Sequence, residues 1–346
     1  MRRRVLAALA ALLLFTTAHA ESVSPTTGLP LRGVPVTPVL LPIGNNVSTV
    51  KTGGRQRKAA GVGKGQPWGA QLADIVYESL LYKGRESSST RMTFLFHDAL
   101  VNGARVDAGP VRSARETQVL LSREWRAMLV YSSRTGGSAP AAPGLRSLAQ
   151  PHFGLADSTR RRKRFFDLVQ NQGARKHKAP DCFSARVTDI AALEADRPFQ
   201  GQGFCFGETD DALPQATEIA LDWGSPAYAS TFRYEAGRYL CFHGALPYES
   251  YLGLTGEEKL QLAFDNVIIQ QMEYVGTEGP LPAPPESGSG KAVLFTDGRV
   301  IEGSWRKENA DAPTLFLDAS GSPFRLAPGQ TYIAQLPVGS GSFSYR

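Results

Sequence analysis

The residues best suited to chemistry in this sequence are two arginines that follow a Gly-Pro turn. They belong to the run Gly109-Pro110-Val111-Arg112-Ser113-Ala114-Arg115-Glu116. Gly-Pro turns the chain, and a helical pattern follows. With Ser113 as the N-cap, Glu116 stands at the N3 position, which gives a Ser-x-x-Glu capping box. Arg112 and Arg115 then flank a helix N-terminus, whose free N–H groups and dipole favour an anion. Because a guanidinium is a planar donor fork suited to carboxylate or phosphate, we predict a small anion-binding cleft.

Further candidates stand at the ends of neighbouring predicted elements. Glu78 lies in the first of two strand-like runs before the turn, and Arg91 begins the second. A Gly-Gly pair, which lets a ligand approach the backbone closely, follows a third strand-like run, and Lys178 lies in a later turn. The predicted ligand-binding set is Glu78, Arg91, Arg112, Ser113, Arg115, Gly136, Gly137 and Lys178.

The same charges also have a structural interpretation. Arginines near a capped helix are often surface charges or members of internal salt bridges. A carboxylate among guanidiniums is held ionised, which makes Glu78 a poor general acid and a good structural clamp with Arg91, Arg112 and Arg115. The ligand-site and clamp interpretations both stay open at this point.

No catalytic, cofactor or metal motif accompanies these residues. Ser113 lacks the Gly-x-Ser-x-Gly elbow of a hydrolase nucleophile, and no histidine is assignable as its base. His97 and Asp98 end a predicted strand, where successive side chains face opposite sides, so we expect a surface histidine. The glycine spacing fits neither a dinucleotide fingerprint nor a P-loop, and the cysteine spacing does not resemble a zinc site. We therefore predict no catalytic residue, no cofactor and no metal.

The elements that must position the candidates change character along the chain. Residues 69–200 alternate strand signals with helical patterns at Thr117–Ala127 and Ala141–Gln150, which is typical of helices packed on a sheet. Residues 201–346 carry a succession of short strand candidates and a hairpin signal at Asp297-Gly298, where both turn positions favour positive φ. The predicted fold class is α+β, with an N-terminal α/β-type layered domain followed by a mainly antiparallel β domain.

The N-terminus is predicted to be a targeting segment. Arg2-Arg3-Arg4 precedes the apolar run Val5–Phe15, and Ala18-His19-Ala20 fits a small-x-small cleavage rule. We therefore assign residues 1–20 as a signal peptide and residues 21–68 as a linker and N-terminal lead. No later run reaches the roughly 20 apolar residues of a membrane helix. The expected location is the periplasm, the cell surface or the extracellular medium, in soluble form after cleavage.

Charge and cysteine content set further bounds. The formal net charge is +6, and cleavage removes three arginines. The remaining charge is too small to imply a nucleic-acid partner, and export argues against one as well. Lys51–Gly65 is a basic, glycine-containing stretch that we predict to be a mobile loop. Cys182, Cys205 and Cys241 would permit one disulfide, yet the last two lie in strand-like segments where cysteine is a small buried residue. Whether a disulfide forms stays open.

Several runs together resemble the YerB-type exported lipoproteins of bacteria, whose N-terminal and C-terminal parts are both domains of unknown function. The similar runs are Ala73–Glu78, Thr90-Arg91, Phe94–Phe96, Gly109–Arg115, Gly136–Ser138, Lys178–Pro180, Phe264–Gln270, Gly288–Ala292, Asp297-Gly298, Ile301–Trp305 and Pro328–Thr331. The likeness spans residues 25–338. It implies a bacterial envelope protein with no established reaction.

Two departures from that family pattern concern anchoring and chemistry. The family is often lipid-anchored through a cysteine at the mature start, whereas this chain has Ala20-Glu21 there, which implies a free soluble form. Family members also commonly carry histidines where this chain has Ser132–Thr135 and Asp181-Cys182. Any family chemistry that required those imidazoles is therefore in doubt for this protein.

These observations favour an exported, non-catalytic, two-domain protein of the cell envelope. It would bind a small anionic or wall-derived ligand, or an envelope protein partner. A first alternative is a hydrolase or transferase of wall polymers, which would need two ionisable side chains facing one pocket. A second is a scaffold whose β domain docks a membrane-bound envelope synthase.

Overall fold

The computed structural model of the protein describes residues 22–83, 88–132, 148–149, 166–168, 183–244, 246–253, 258–275 and 282–346. The predictions that concern the signal peptide, Gly136, Gly137, Lys178 and Cys182 fall outside these ranges.

Strands dominate the described chain. In chain order they are β1 (Ser22–Val23), β2 (Pro30–Leu31), β3 (Val39–Ile43), β4 (Val47–Thr52), β5 (Arg55–Ala60), β6 (Ile75–Lys83), β7 (Ser88–Phe96), β8 (Asp107–Ala108), β9 (Met128–Tyr131), β10 (Leu148–Ala149), β11 (Phe166–Leu168), β12 (Phe183–Arg186), β13 (Cys205–Phe206), β14 (Glu218–Asp222), β15 (Ser230–Glu235), β16 (Arg238–His243), β17 (Leu246–Pro247), β18 (Glu249–Tyr251), β19 (Lys259–Gln261), β20 (Ala263–Phe264), β21 (Asn266–Met272), β22 (Gly288–Thr296), β23 (Arg299–Lys307), β24 (Leu315–Asp318), β25 (Arg325–Leu326), β26 (Thr331–Pro337) and β27 (Ser342–Tyr345).

Within the described ranges, helices are few and short. They are α1 (Asp98–Val101), α2 (Glu116–Trp125) and α3 (Val187–Ala191), with 3-10 turns at Gly63–Gly65, Ala70–Leu72 and Ala192–Glu194. The helix predicted from Thr117 is confirmed as α2. The helix predicted at Ala141–Gln150 is wrong at Leu148–Ala149, which form β10, and its remaining residues lie outside the described ranges.

The fold is therefore β-rich. Short strands at the predicted positions in the second half agree with the expected β domain. The layered α/β arrangement predicted for residues 69–200 is not supported, because α2 is the one helix longer than five residues within the described ranges. Strands β6 and β7 pair directly as antiparallel neighbours, so no helix crosses between them. At Asp297-Gly298 both residues have positive φ, 48° and 71°, which confirms the predicted turn.

A ten-stranded sheet forms the centre of the molecule. Its strand order is β10-β9-β3-β7-β6-β26-β21-β22-β23-β24. Strand β26 lies between β6 and β21 and runs parallel to both, with Ala334 opposite Glu78. The sheet therefore takes strands from both sides of the predicted domain boundary at residue 200.

Apolar side chains cover both faces of this sheet. Alternation along β6 sends Val76 into one core and Ile75 and Tyr77 into the other. The first core is completed by the sheet β17-β16-β15-β14-β27, in which β20 also pairs with β16. The second is completed by α2, through Leu121 and Trp125. Burial of this apolar area is the main stabilising term of the fold.

The basic stretch after residue 46 is a β-hairpin rather than the predicted loop. Strands β4 and β5 pair with each other in a separate two-stranded sheet. Gly53 and Gly54 form the two-residue turn with φ of 58° and 78°, which is the conformation that right-twisted hairpins favour. The hairpin is largely exposed except at its base, where Ala59 and Ala60 are buried.

Two further predictions concern cysteines and membrane spans. Cys241 is buried as expected, whereas Cys205 is exposed, and both are free thiols. Among the helices that the structure describes, none combines the length and apolar character needed to cross a bilayer.

Candidate functional site

Arg112 lies where three chain segments meet. Its backbone N–H donates to Pro42 O at 2.8 Å, and its carbonyl accepts from Ser132 N at 2.9 Å, so the residue is fixed between the ends of β3 and β9. Its side chain is buried, with 9% of the residue surface exposed. Gly44 leaves room for it, because a Cβ at that position would lie 3.2 Å from Arg112 Nε.

The N-cap of the helix that follows lies two residues later than the sequence predicted. The N-cap is Arg115, whose extended backbone (φ −123°, ψ 178°) precedes Glu116, the first residue of α2. The predicted role of Ser113 as N-cap, with Glu116 at N3, is therefore wrong. Gln118 occupies N3, and its Oε1 accepts from Arg115 N at 2.8 Å. Gln118 Nε2 also donates to Thr93 Oγ1 at 3.0 Å, which ties the helix start to β7.

Arg112 and Arg115 lie close enough to repel each other. Burial lowers the pKa of Arg115, and the positive charge of Arg112 lowers it further. Arg115 donates from one terminal nitrogen to Ala114 O at 3.1 Å, while its buried Nε has no hydrogen-bond partner in the described structure. Two partly desolvated like charges are unfavourable by themselves.

Glu78 occupies a closed polar pocket on the opposite sheet face from α2. Its residue surface is 0% exposed. One carboxylate oxygen accepts from Thr90 Oγ1 at 2.5 Å and from Asn45 Nδ2 at 3.3 Å. The other accepts from Ser230 Oγ at 3.3 Å and from the Tyr332 hydroxyl. Burial raises the pKa of Glu78 from its ordinary 4.5 to about 7, although these hydrogen bonds act in the opposite direction.

The expected clamp between Glu78 and Arg91 is wrong. Glu78 stands opposite Met92 and Ser79 stands opposite Arg91. Since alternate strand residues face opposite sides, the carboxylate and this guanidinium leave the sheet from different faces. Burial is the largest cause of the raised pKa of Glu78.

Tyr228 links the charged candidates electrostatically. Burial raises the pKa of its hydroxyl, the positive charges of Arg91 and Arg112 lower it, and the charge of Glu78 raises it. The Tyr228 side chain therefore lies within electrostatic range of all three residues. We call Arg91, Arg112, Arg115 and Tyr228 the arginine cluster. Gly136, Gly137 and Lys178 lie outside the described residues, so their part in the site stays a prediction.

The sequence did not identify the partners of Glu78. Asn45 and Thr90 come from the first half of the chain, whereas Ser230 and Tyr332 come from strands β15 and β26 of the second. One local signal was available: Thr90 is a polar residue two positions before the buried Met92, on the same strand face.

A second buried polar group joins Asp74, His97 and Asp98. His97 is fully buried, not at the surface as predicted, and its Nδ1 lies 2.8 Å from Asp98 Oδ1. Strand β7 ends at Phe96, and the irregular backbone of His97 (φ −141°, ψ −63°) ends the alternation that would have separated these neighbours. Burial and the charge of Asp98 raise the pKa of Asp74.

This group fastens the N-terminal segment. Asp98 accepts from Ser24 Oγ at 2.6 Å and from the Thr27 hydroxyl, and Asp74 accepts from Thr26 Oγ1 at 2.7 Å. Burial raises the pKa of Asp98, but the hydrogen bonds from His97, Ser24 and Thr27 outweigh it and lower the pKa overall. The ligand atoms of the three residues lie within 4.8 Å of one another, as in a metal site. Their carboxylates, however, already accept these hydroxyl hydrogen bonds.

Two family models match the chain. Residues 64–199 match "Protein of unknown function (DUF3048) N-terminal domain", and residues 219–333 match "Protein of unknown function (DUF3048) C-terminal domain". The chain is also 26% identical over 276 residues to "Putative lipoprotein YerB" of Bacillus subtilis (strain 168), a match that covers 78% of this chain and 76% of the relative.

A solved structure shares the fold. The crystal structure of the YerB protein from Bacillus subtilis superposes with a TM-score of 0.67 at 20% sequence identity, covering 94% of this chain and 100% of that chain. At that identity the likeness concerns the fold alone.

Proposed function

Since the chain belongs to the YerB-related family with DUF3048 N-terminal and C-terminal domains, whose function is unknown, we propose a function from its own geometry. It is an exported, non-catalytic envelope protein that binds an anionic ligand at the arginine cluster. The family assignment confirms the resemblance that the sequence indicated.

The proposal rests chiefly on the position of two arginines at the start of α2, buried Arg112 and half-buried Arg115, of which Arg115 is the N-cap. Placing two like charges close together in partly buried positions costs free energy. Charge-assisted hydrogen bonds from guanidinium to carboxylate or phosphate are among the strongest in proteins. The adjacent N-terminus of α2, a ten-residue helix, favours the same sign of ligand charge. The expected ligand is a small anion or a charged wall component.

Binding without turnover fits the environment of Glu78. The carboxyl group is fully enclosed, and side chains from four strands or loops hold both of its oxygens. A general acid or base must reach the proton that it transfers. We therefore assign Glu78 to internal structure that supports the site, rather than to ligand contact.

Export rests on two supports. The sequence begins with a basic stretch, an apolar run and a small-x-small motif, and the related Bacillus subtilis protein carries the name "Putative lipoprotein YerB". The proposed location is outside the cytoplasmic membrane, in the periplasm, at the cell surface or in the medium.

Titration calorimetry tests the proposal. The probes are inorganic phosphate and soluble muropeptides, added to the wild-type mature protein and to the double variant Arg112→Gln, Arg115→Gln. Each charged hydrogen bond contributes about 1.5–3 kcal/mol, so the double variant should bind at least about tenfold more weakly. A matched variant, Arg32→Gln with Arg306→Gln, removes two exposed charges elsewhere and should bind as the wild type does. Equal affinity of a folded double variant and the wild type for both probes would reject the proposal.

One observation favours the enzymatic alternative. A carboxyl pKa near 7 is what a general acid or base requires at neutral pH. If the protein is a wall-polymer hydrolase or transferase, the mature wild type releases soluble fragments from purified peptidoglycan and Glu78→Gln abolishes that release. No release by the wild type removes this alternative.

A further inference from the structure

The β4–β5 hairpin carries an unbalanced positive charge. Between Asn46 and Asp74 the sequence contains five basic residues and no acidic residue. Four of the five lie on the hairpin, all of them exposed: Lys51, Arg55, Arg57 and Lys58. Within the described ranges, none of the four forms an ion pair with a carboxylate. No carboxylate among the described residues therefore neutralises this surface.

Strand geometry spaces these charges regularly. Arg55 and Arg57 are two residues apart on β5 and share one face of the hairpin, opposite Thr52 and Val50. Residues at this spacing lie about 6–7 Å apart along a strand. Lys58 points to the other face, so cations occupy both sides of a narrow two-stranded ribbon.

The hairpin forms one wall of a trough. The other wall is made by Ser225, Pro226, Ala227 and Gly244, and the space between them is about 620 Å³. The base of the trough is closed by a hydrogen bond of 2.7 Å from Ala60 N to Ala227 O. Apart from Arg55, Arg57 and Lys58, its lining consists of uncharged residues.

Two short chain segments connect the base of the trough to the arginine cluster. Gly44, which packs against Arg112 Nε, stands three residues before the hairpin begins. On the facing wall, Ala227 is followed by Tyr228, which lies within electrostatic range of Arg91 and Arg112. Short chain segments on both walls of the trough thus lead from the hairpin to residues that neighbour the buried arginines.

We infer that the ligand is a linear phosphodiester polymer, whose end enters the arginine cluster while successive phosphates lie along the trough; this inference rests on the proposed function of that cluster. A guanidinium fork matches the oxygen geometry of phosphate, and regularly spaced cations match a chain of repeated charges. A flat anionic bilayer would meet only one face of the hairpin, whereas the cations occupy both faces and line a trough.

The test compares a polymer with its own repeating unit. The full mature protein is titrated with poly(glycerol phosphate) and with glycerol 3-phosphate at several salt concentrations. The hairpin variant is Arg55→Gln, Arg57→Gln, Lys58→Gln, and the control removes three exposed charges elsewhere, Arg32→Gln, Arg306→Gln, Arg325→Gln. Circular dichroism confirms that each variant is folded.

The wild type and the control should bind the polymer at least about tenfold more tightly than the monomer. The hairpin variant should lose that gain, show a shallower salt dependence and bind glycerol 3-phosphate as the wild type does. Polymer binding that is unchanged in the hairpin variant, or no gain of polymer over monomer in the wild type, overturns the inference.

Two further ligands test whether binding is specific to a phosphodiester polymer. Polyglutamate that binds as tightly as poly(glycerol phosphate), or phosphatidylglycerol vesicles whose binding depends equally on the hairpin, overturn the assignment to a phosphodiester polymer. The variant Arg112→Gln, Arg115→Gln distinguishes the two proposals. If this double variant binds glycerol 3-phosphate as the wild type does, the arginine cluster is rejected as the site for the polymer end. If the hairpin variant binds the polymer as the wild type does, the trough is rejected, whereas the proposed site at the arginine cluster is not.

Discussion

Ser79 and Gln335 are joined by a hydrogen bond of 2.7 Å between Ser79 Oγ and Gln335 Oε1, although 256 residues separate them in the chain. The bond lies inside the central sheet, where β26 pairs with β6 in parallel register. The two family domains are therefore not two independent sheets. Strand β26 supplies Tyr332 to the Glu78 pocket and completes the sheet on which the arginine cluster is built.

This shared sheet predicts that neither half folds alone. A fragment of residues 22–200 would leave β6 with an unpaired inner edge and Glu78 without Ser230 and Tyr332. A buried carboxyl group that loses its partners costs several kcal/mol. We expect each separately produced half to lack a cooperative thermal transition, and the two halves produced together to regain one. A cooperative transition in the isolated first half would contradict this expectation.

Local sequence signals predicted the elements well where a segment's own pattern decides its structure. The helical pattern after Glu116, the apolar strand Met128–Tyr131 and the Asp297-Gly298 turn all appear in the structure. Each depends on neighbours within a few residues.

The sequence could not show which distant strands pair, or where the alternation of side chains along a strand ends. No local pattern indicates that Thr331–Pro337 inserts beside Ile75–Lys83, so the Tyr332 partner of Glu78 was missed. The buried contact between His97 and Asp98 arises because the strand ends one residue before His97. The N-terminal lead was interpreted as a linker, since its hydroxyl groups acquire a role only when Asp74 and Asp98 are nearby.

Glu78 should make stability depend on pH. At pH below 4.5 the carboxyl is protonated in both the folded and the unfolded chain. As the pH rises towards 7, the unfolded chain releases the proton first, so the free energy of unfolding falls by about 3 kcal/mol and then levels off. In Glu78→Gln this contribution is absent. Urea unfolding of both proteins across this pH range measures it.

The difference between wild type and Glu78→Gln isolates this one group. The pKa of buried His243 is lowered to about 4 from 6.5, so its contribution falls as the pH drops, but it is common to both proteins. The raised pKa of Asp74 is likewise common to both. A difference in unfolding free energy that stays constant from pH 4.5 to 7 would mean that Glu78 titrates near its ordinary value.

Thr27→Val should loosen the N-terminal segment. The substitution keeps the shape of the side chain and removes the hydroxyl that donates to Asp98. Loss of a hydrogen bond to a charged acceptor costs about 1.5–3 kcal/mol, measured by urea unfolding. Thr49→Val, which removes an exposed hydroxyl on the hairpin, is the matched control and should change stability little. Equal stability of the two variants would show that the Asp98 contact does not hold the segment.

Gly44→Ala should weaken anion binding by displacing the Arg112 side chain. The new Cβ would lie 3.1 Å from Pro110 Cγ and 3.2 Å from Arg112 Nε, so one of these neighbours must move. Overpacking of this kind costs about 1–3 kcal/mol, and the guanidinium stem is freer to shift than the proline ring. We expect binding of glycerol 3-phosphate to weaken by about tenfold, measured by calorimetry, while the thermal transition stays cooperative. Gly253→Ala is the control, because a Cβ there meets no atom within 4 Å. Unchanged affinity in a folded Gly44→Ala protein would mean that the position of Arg112 does not determine binding, and the arginine cluster would then lose its central residue.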